Sequence, residues 1–286
     1  MNGPQIAFLP DGRRLHLHYG PIDLIVEAFG PDGECQKAYR RAAERFDGLL
    51  EELVAELPAL RSGAGAPVTG PIARRMVHAV APHRPAFITP MAAVAGAVAD
   101  EILAAMVASG SLSRAYVNNG GDIALHLAPG ESLRAALANS ATIADRVRIN
   151  HEDPARGIAT SGWRGRSWSL GIADAVTVLA RDAAAADAAA TLIANAVDLP
   201  CHPAIARRPA DALQPDTDLG SRPVTIAVGP LSPAEIATAL DAGLRRAGDM
   251  LQNGLICAAA LYLAGGIRLC GTLFLEHSPE KEPAYG

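Results

Sequence analysis

Arg114-Ala115-Tyr116-Val117-Asn118-Asn119-Gly120-Gly121-Asp122-Ile123-Ala124-Leu125-His126-Leu127 sets two short runs rich in branched and aromatic residues, 114–117 and 123–127, on either side of an Asn-Asn-Gly-Gly-Asp segment. Such side chains suit a pleated, half-buried surface, and glycine adopts backbone angles that other residues resist. The pattern predicts two strands around a tight turn. A helix is predicted directly upstream: Pro90 stands where a first helical turn tolerates proline, and Met91, Val94, Ala95, Val98 and Ile102 follow at helical spacing to about residue 108. A helix followed by two consecutive strands departs from the regular alternation of a doubly wound sheet and favours an α+β fold.

Outward from this stretch, residues 14–19 and 22–28 read as strands around a Tyr-Gly-Pro turn, with a charged, alanine-rich helix over about 34–57. Residues 58–71, rich in Pro, Gly and Ser, read as a mobile loop. Downstream, 176–179 reads as a β-branched strand and 183–197 as a helix. Residues 198–222 form a long loop full of Pro and Asp, 224–228 resumes as a strand, and Ser232-Pro233-Ala234-Glu235 has the form of a capping box opening a helix to about 251. The apolar run 254–267 is too short to span a bilayer and reads as buried. The expectation is one domain over 1–275 and a flexible tail over 276–286.

Of 286 residues, 50% are hydrophobic and 19% charged, enough for a sizeable core and far from a disordered composition. With 25 basic against 30 acidic residues the net charge is -5, and the arginines are scattered. No basic stripe follows phosphates, so nucleic acid is not an expected partner. Asp11, Arg13 and Arg14 precede any apolar stretch long enough for a signal peptide, which places the chain, by expectation, in the cytoplasm and off the membrane. Cys35, Cys201, Cys257 and Cys270 show no CxxC pair and read as reduced thiols, the last two in the core. Lysine occurs only as Lys37 and Lys281, which argues against Schiff-base chemistry and a P-loop.

Three places offer chemistry. Asp187, Thr191 and Asn195 recur at i, i+4 and i+8 of an alanine-rich helix and form one polar stripe. Hard cations such as Mg²⁺ take oxygen ligands and keep waters, so a carboxylate and a hydroxyl on adjacent turns, with a substrate phosphate, suffice to hold one; a solvated stripe, or Thr191 bonding back to the Asp187 carbonyl, accounts for it equally. Gly120-Gly121-Asp122 lets backbone approach a ligand closely, or is a plain turn. Thr160-Ser161-Gly162-Trp163, with Arg164 and Arg166, offers hydroxyls, a stacking surface and positive charge suited to a phosphorylated aromatic ligand, or is an ordinary polar loop. Ser161 lacks a GxSxG setting. His78, His83, His126, His151 and His202 show no metal-ligand spacing.

In order, Pro90-Met91-Ala92-Ala93-Val94-Ala95-Gly96, Asn119-Gly120-Gly121-Asp122-Ile123, Ala159-Thr160-Ser161-Gly162-Trp163 and Ala186-Asp187-Ala188-Ala189-Ala190-Thr191 resemble the ApbE-like superfamily. An uncharacterised, UPF-type branch is also similar over 171–178 and 215–220. ApbE proteins are Mg²⁺-dependent FAD:protein FMN transferases, so the resemblance implies an ApbE-like, T-fold-like α+β domain with mixed or antiparallel sheets packed by helices. It implies Mg²⁺ on Asp187, Thr191 and the carbonyl of Ala92, and FAD or FMN near Asn119, Gly120, Gly121, Asp122, Thr160, Ser161, Gly162 and Asp100. Two departures bear on the reaction. The family's Lys-Gly-x-x-x-Asp motif stands here as Ala95-Gly96-Ala97-Val98-Ala99-Asp100, without its lysine. Where the transferases carry a His followed by Asp-Pro and Thr-Gly, this chain reads Arg166-Ser167-Trp168-Ser169-Leu170-Gly171. Binding of a flavin or other phosphorylated planar ring is expected, and FMN transfer is not. An enzyme on pterin- or purine-like substrates, gripped by Asp100, Asp122 or Asp174, and a non-catalytic flavin carrier are the alternatives. The expected partners are a small-molecule ligand and further copies of the chain as a homo-oligomer.

Overall fold

The computed structural model describes residues 3–63, 65–108, 110–136, 145–272 and 275–277. In chain order the elements are β1 (Gln5–Phe8), β2 (Leu15–Tyr19), β3 (Ile22–Phe29), α1 (Asp32–Phe46), α2 (Leu49–Ala55), α3 (Leu57–Leu60), α4 (Pro71–Val80), α5 (Val94–Val107), β4 (Arg114–Asn119) and β5 (Asp122–Leu127). There follow β6 (Ser132–Ala136), β7 (Asp145–Asn150), β8 (Gly157–Ser161), β9 (Ala175–Ala180), α6 (Ala183–Ala196), β10 (Ile205–Pro209), β11 (Pro223–Val228), α7 (Pro233–Gln252), β12 (Ala258–Leu263), β13 (Gly266–Gly271) and β14 (Leu275–His277).

A nine-stranded sheet runs β1-β2-β3-β4-β5-β8-β9-β12-β13, with every neighbouring pair antiparallel. Its inner face packs on α5, α6 and α7, where Leu17, Leu24, Val117, Ala159, Val178 and Leu261 are buried together. Part of the outer face is covered by the small sheet β14-β7-β6, which buries Leu125, Leu127, Ile158, Leu179 and Tyr262 against Val147 and Ile149. Strands β9 and β12 are therefore buried on both faces and, apart from Thr177, read as apolar runs rather than alternating ones. This is the α+β fold, with helices packed on a large antiparallel sheet.

The turn of the opening stretch joins Asn119 to Asp122 through Gly120 and Gly121, with φ of 63° and 114°. The helix expected over 34–57 is broken instead: Asp47 is extended and Gly48 takes a φ of 73°, which ends α1 and starts α2. The run expected to be a loop over 58–71 gives its first residues to α3 and Pro71 to α4, a helix that proline at the first position hid. The loop expected over 198–222 holds β10, paired with β11. The segment 254–267 is the start of the β12–β13 hairpin, which turns at Ala264 and Gly265, both at positive φ. The capping box is present at Ser232 and Glu235. Cys270 is buried, Cys257 only half-buried, and all four thiols are free. The stretch Pro90–Val107 is long and apolar enough by composition to cross a membrane, and half of it is buried in this fold. Leu275–His277 pairs with β7, and the rest of the expected tail lies outside the described residues.

Candidate functional site

Helices α5 and α6 meet at Gly96, and strand β8 meets the start of α6 at Gly157. A Cβ at Gly96 would lie 2.2 Å from the Ala183 carbonyl oxygen, and one at Gly157 would lie 2.1 Å from that of Asp182. Glycine alone permits this approach. At the crossing each helix caps the other. The first amides of a helix have no partner within it. Asp100, on α5, accepts from the amides of Ala183 (3.0 Å) and Ala184 (2.9 Å) at the start of α6, where Asp182 takes the Ala185 amide at 2.7 Å. Asp187, on α6, accepts in return from Gly96 (3.1 Å) and Ala95 in the first turn of α5. Asn119, at the end of β4, donates to the Ala95 carbonyl at 3.1 Å and ties the turn to the same place.

The crossing gathers carboxyl groups. Asp122 lies at the start of β5, on the helix side of the sheet like its partner Asn119, and accepts from the Thr160 amide at 3.2 Å. Desolvation pushes its carboxyl up to about 7, against the Thr160 amide and the Arg166 charge. Asp187 is held well above the usual carboxylate range, first by desolvation and then by the charge of Asp122, with Asp100 adding to it. Asp100 is pushed up to about 6, chiefly by desolvation, although its two amide donors pull it down. Asp100, Asp122 and Asp187 are each half-buried.

On the far side of the Gly120–Gly121 turn, on the outer face, lies a depression of about 260 Å³ lined by Asp23, Ile25, Asn118, Gly120, Gly121 and Arg166. A Cβ at Gly120 would come within 1.8 Å of Arg166 Nη2, so the guanidinium rests directly on the glycine. Nothing lies within 4 Å of the corresponding point on Gly121, and Asn118 Oδ1 accepts its amide at 2.8 Å. The turn thus has the carboxyl cluster of Asp122 and Asp187 on one side and an arginine-lined depression on the other.

The expected site residues divide accordingly. Asn119, Asp122, Asp187 and Asp100 meet at the crossing, but Asp100 engages both oxygens as a cap. Thr160 contributes its amide, while its hydroxyl meets that of Thr177 at 2.9 Å, on the opposite face from Ala159 and Ser161. Gly162 is required by the Asp174 carbonyl, which would lie 2.5 Å from a Cβ there. Thr191 is half-buried one turn beyond Asp187, and Ala92 lies in the 3₁₀ segment Pro90–Ala93 that packs on α6. Asn195 leaves the stripe: its Oδ1 accepts from the Leu170 amide at 2.9 Å and fixes the loop before β9. Arg164 and Asp174 are paired at 2.6 Å, with Arg164 stacked on Trp163 and Asp174 also accepting from Ala264. The positive charge expected from two arginines therefore falls to Arg166, and Asp174 is not free to grip a ring. The indole nitrogen of Trp163 is buried without a partner. Asp218, in the 215–220 stretch, accepts from the Thr89 hydroxyl at the head of the Pro90 segment.

A UPF0280 protein of Methanothrix thermoacetophila is 43% identical over 131 residues, 44% of this chain and 52% of that protein. Another, from Methanopyrus kandleri, is 31% identical over 169 residues, 59% of this chain and 66% of that protein. The chain spans about half the length of the first of these relatives. Among solved structures, the apo flavinyl transferase ApbE of Pseudomonas stutzeri aligns over 95% of this chain and 96% of that one, at 14% identity and a TM-score of 0.41, a likeness that carries no argument. The family described as AbpE bacteria matches residues 6–269, and the chain belongs to this ApbE-like family.

Proposed function

We propose that the chain binds a flavin nucleotide or another phosphorylated planar ring together with Mg²⁺, in the recess between the Gly120–Asp122 turn, the end of β8 at Thr160–Gly162 and the Asp187–Thr191 stretch of α6. The observation that carries this reading is the pair Asp122 and Asp187, two desolvated carboxyl groups, the second of which is also held up by the charge of the first. A fold that gathers such charge is stabilised by a cation between them. The donor set fits a hard ion: the carboxylates of Asp187 and Asp122, the Thr191 hydroxyl and the Ala92 carbonyl are all oxygens. When bound, Mg²⁺ would neutralise the pair and polarise a phosphoryl oxygen.

The chain's own residues supply the rest. Asp187 and Asp100 hold the two helix starts at a fixed distance, and the glycine turn lets backbone approach the ligand. Arg166 brings positive charge to the outer side of the turn. FMN transfer is not part of the proposal, because Ala95 occupies the first turn of α5 where the family's lysine would bring a charge, and Arg166 lies on the other side of the turn. We propose a cytoplasmic location, with which four free thiols agree. A pterin- or purine-binding enzyme would have to rely on Asp122, since Asp100 and Asp174 have both oxygens engaged.

The test is thermal denaturation with FAD, with and without Mg²⁺. Stabilisation by FAD that requires Mg²⁺ is expected for the parent and not for Asp187→Asn, which keeps an oxygen to cap α5 but loses the charge. Equal stabilisation of the two would remove the metal assignment. The same samples, given a flavinylation substrate, should show no mass increase of one FMN.

A further inference from the structure

We propose a second, unrelated metal site on the outer face of the β2–β3 hairpin, where His16, His18 and Asp23 form a three-ligand site for a divalent transition metal of the zinc class. His16 and His18 are two apart on a strand and so share a face, opposite the buried Leu15 and Leu17. The hairpin register sets His18 directly across from Asp23. One ligand atom from each of the three lies within 4.8 Å of the other two. His16 Nε2 is 2.7 Å from Asp23 Oδ1, and His18 Nδ1 is 3.9 Å from Asp23 Oδ2. Tetrahedral zinc bound at about 2.0–2.1 Å sets its ligand atoms about 3.3 Å apart, which these two separations bracket. Small side-chain rotations close the set.

A simple imidazole–carboxylate hydrogen bond explains only His16 and Asp23. It leaves His18 Nδ1 shut from solvent with no hydrogen-bond partner, and a buried polar atom without one needs an explanation. A metal ion supplies it, taking the His18 nitrogen and the second oxygen of Asp23 together. Two imidazoles and one carboxylate are a donor set that zinc and its neighbours favour over Mg²⁺, and three protein ligands leave a coordination position open. Asp23 also lines the depression that Arg166 enters, so an anionic group lying there could reach the open position. All three side chains keep more than a third of their surface exposed, so an ion can enter and substitutions there should leave the fold intact.

The experiment titrates the EDTA-stripped chain with Zn²⁺ by calorimetry and with Co²⁺ by visible absorbance, which reports tetrahedral coordination. Saturation at one ion per chain with a tetrahedral cobalt band is expected. His16→Ala, His18→Ala and Asp23→Asn should each weaken Zn²⁺ binding at least about tenfold, the scale on which even an outer partner of a metal ligand counts. Asp187→Asn should bind Zn²⁺ as the parent does, which separates this site from the carboxylate recess. Melting in EDTA identifies any variant that fails to fold, and the folded ones decide. Absence of one-to-one binding by the parent, or parent-like affinity in any folded variant of the three ligands, would overturn the assignment.

Discussion

A Cβ at Gly121 meets nothing within 4 Å, yet its φ of 114° lies where only glycine is at ease; a Cβ at Gly96 has an ordinary backbone beneath it and the Ala183 carbonyl 2.2 Å away. The two glycines are needed for different reasons, and substitutions separate them. Gly121→Val should cost about 1–3 kcal/mol through backbone strain, and should also weaken ligand binding because the branched side chain fills the approach to the turn. Gly96→Ala should destabilise by a similar or larger amount through overpacking, and its effect should extend to Mg²⁺ dependence, because pushing α5 from α6 withdraws Asp187 from its amides. Urea unfolding and FAD-dependent melting of both variants test this. If Gly96→Ala is as stable as the parent, the crossing is looser than described.

Helix α6 is alanine-rich because it is buried nearly all round, and its start is held by carboxylates: Asp182 on the Ala185 amide, Asp100 on Ala183 and Ala184. Helix α7 carries its own capping box on the surface, where Ser232 accepts from the Glu235 amide. Water can replace Ser232 once it is truncated, but it reaches the buried start of α6 poorly. Ser232→Ala should therefore cost toward the low end of the cap range, about 0.5 kcal/mol, and Asp182→Ala toward the high end, about 2 kcal/mol. Chemical denaturation of the two variants measures the difference, and an equal or reversed order would show that burial does not set the cost of these caps.

At the scale of the molecule, the raised carboxylates make stability depend on pH in an unusual direction. A carboxyl whose folded pKa is raised binds more protons folded than unfolded, so its contribution is complete below the ordinary value of 3.8 and is lost as pH rises through the folded value, about 6 for Asp100 and about 7 for Asp122. His83 acts oppositely: burial lowers it from 6.5 to about 4, so protein stability falls as the solution acidifies through that window. The parent without added metal should therefore lose stability from about pH 4 to about pH 7, with His83 offsetting part of the fall below 6.5. Asp122→Asn should flatten that fall, and Mg²⁺ should restore the parent at pH 8 more than at pH 6. A parent melting temperature that rises from pH 6 to 8 without metal would contradict the carboxylate cluster.

Much of this architecture follows from local rules that the sequence states outright. The paired glycines of 120–121 between branched runs, the Ser232–Glu235 box and the alanine run of α6 each act within a few residues, and each was legible; the α-helix expected from Pro90 begins instead at Val94, after a 3₁₀ turn over Pro90–Ala93. So was the polar stripe of α6 and the order of motifs that marks the family. Strands β6, β7 and β10 were not, because short, weakly patterned segments become strands only through the partners they find. Nor could the sequence tell which polar residue serves which neighbour: Asn195 turns to Leu170, Thr160 offers its amide rather than its hydroxyl, and Asp174 is taken by Arg164. The reciprocal capping of Asp100 and Asp187 needs two helices more than 80 residues apart to cross at Gly96. The His16-x-His18 spacing is visible in the sequence, but its carboxylate is supplied by hairpin register. The sequence thus determines which elements form, because capping, periodicity and turn chemistry are local; the tertiary structure decides which charges share a recess, because desolvation and repulsion depend on what the fold brings together.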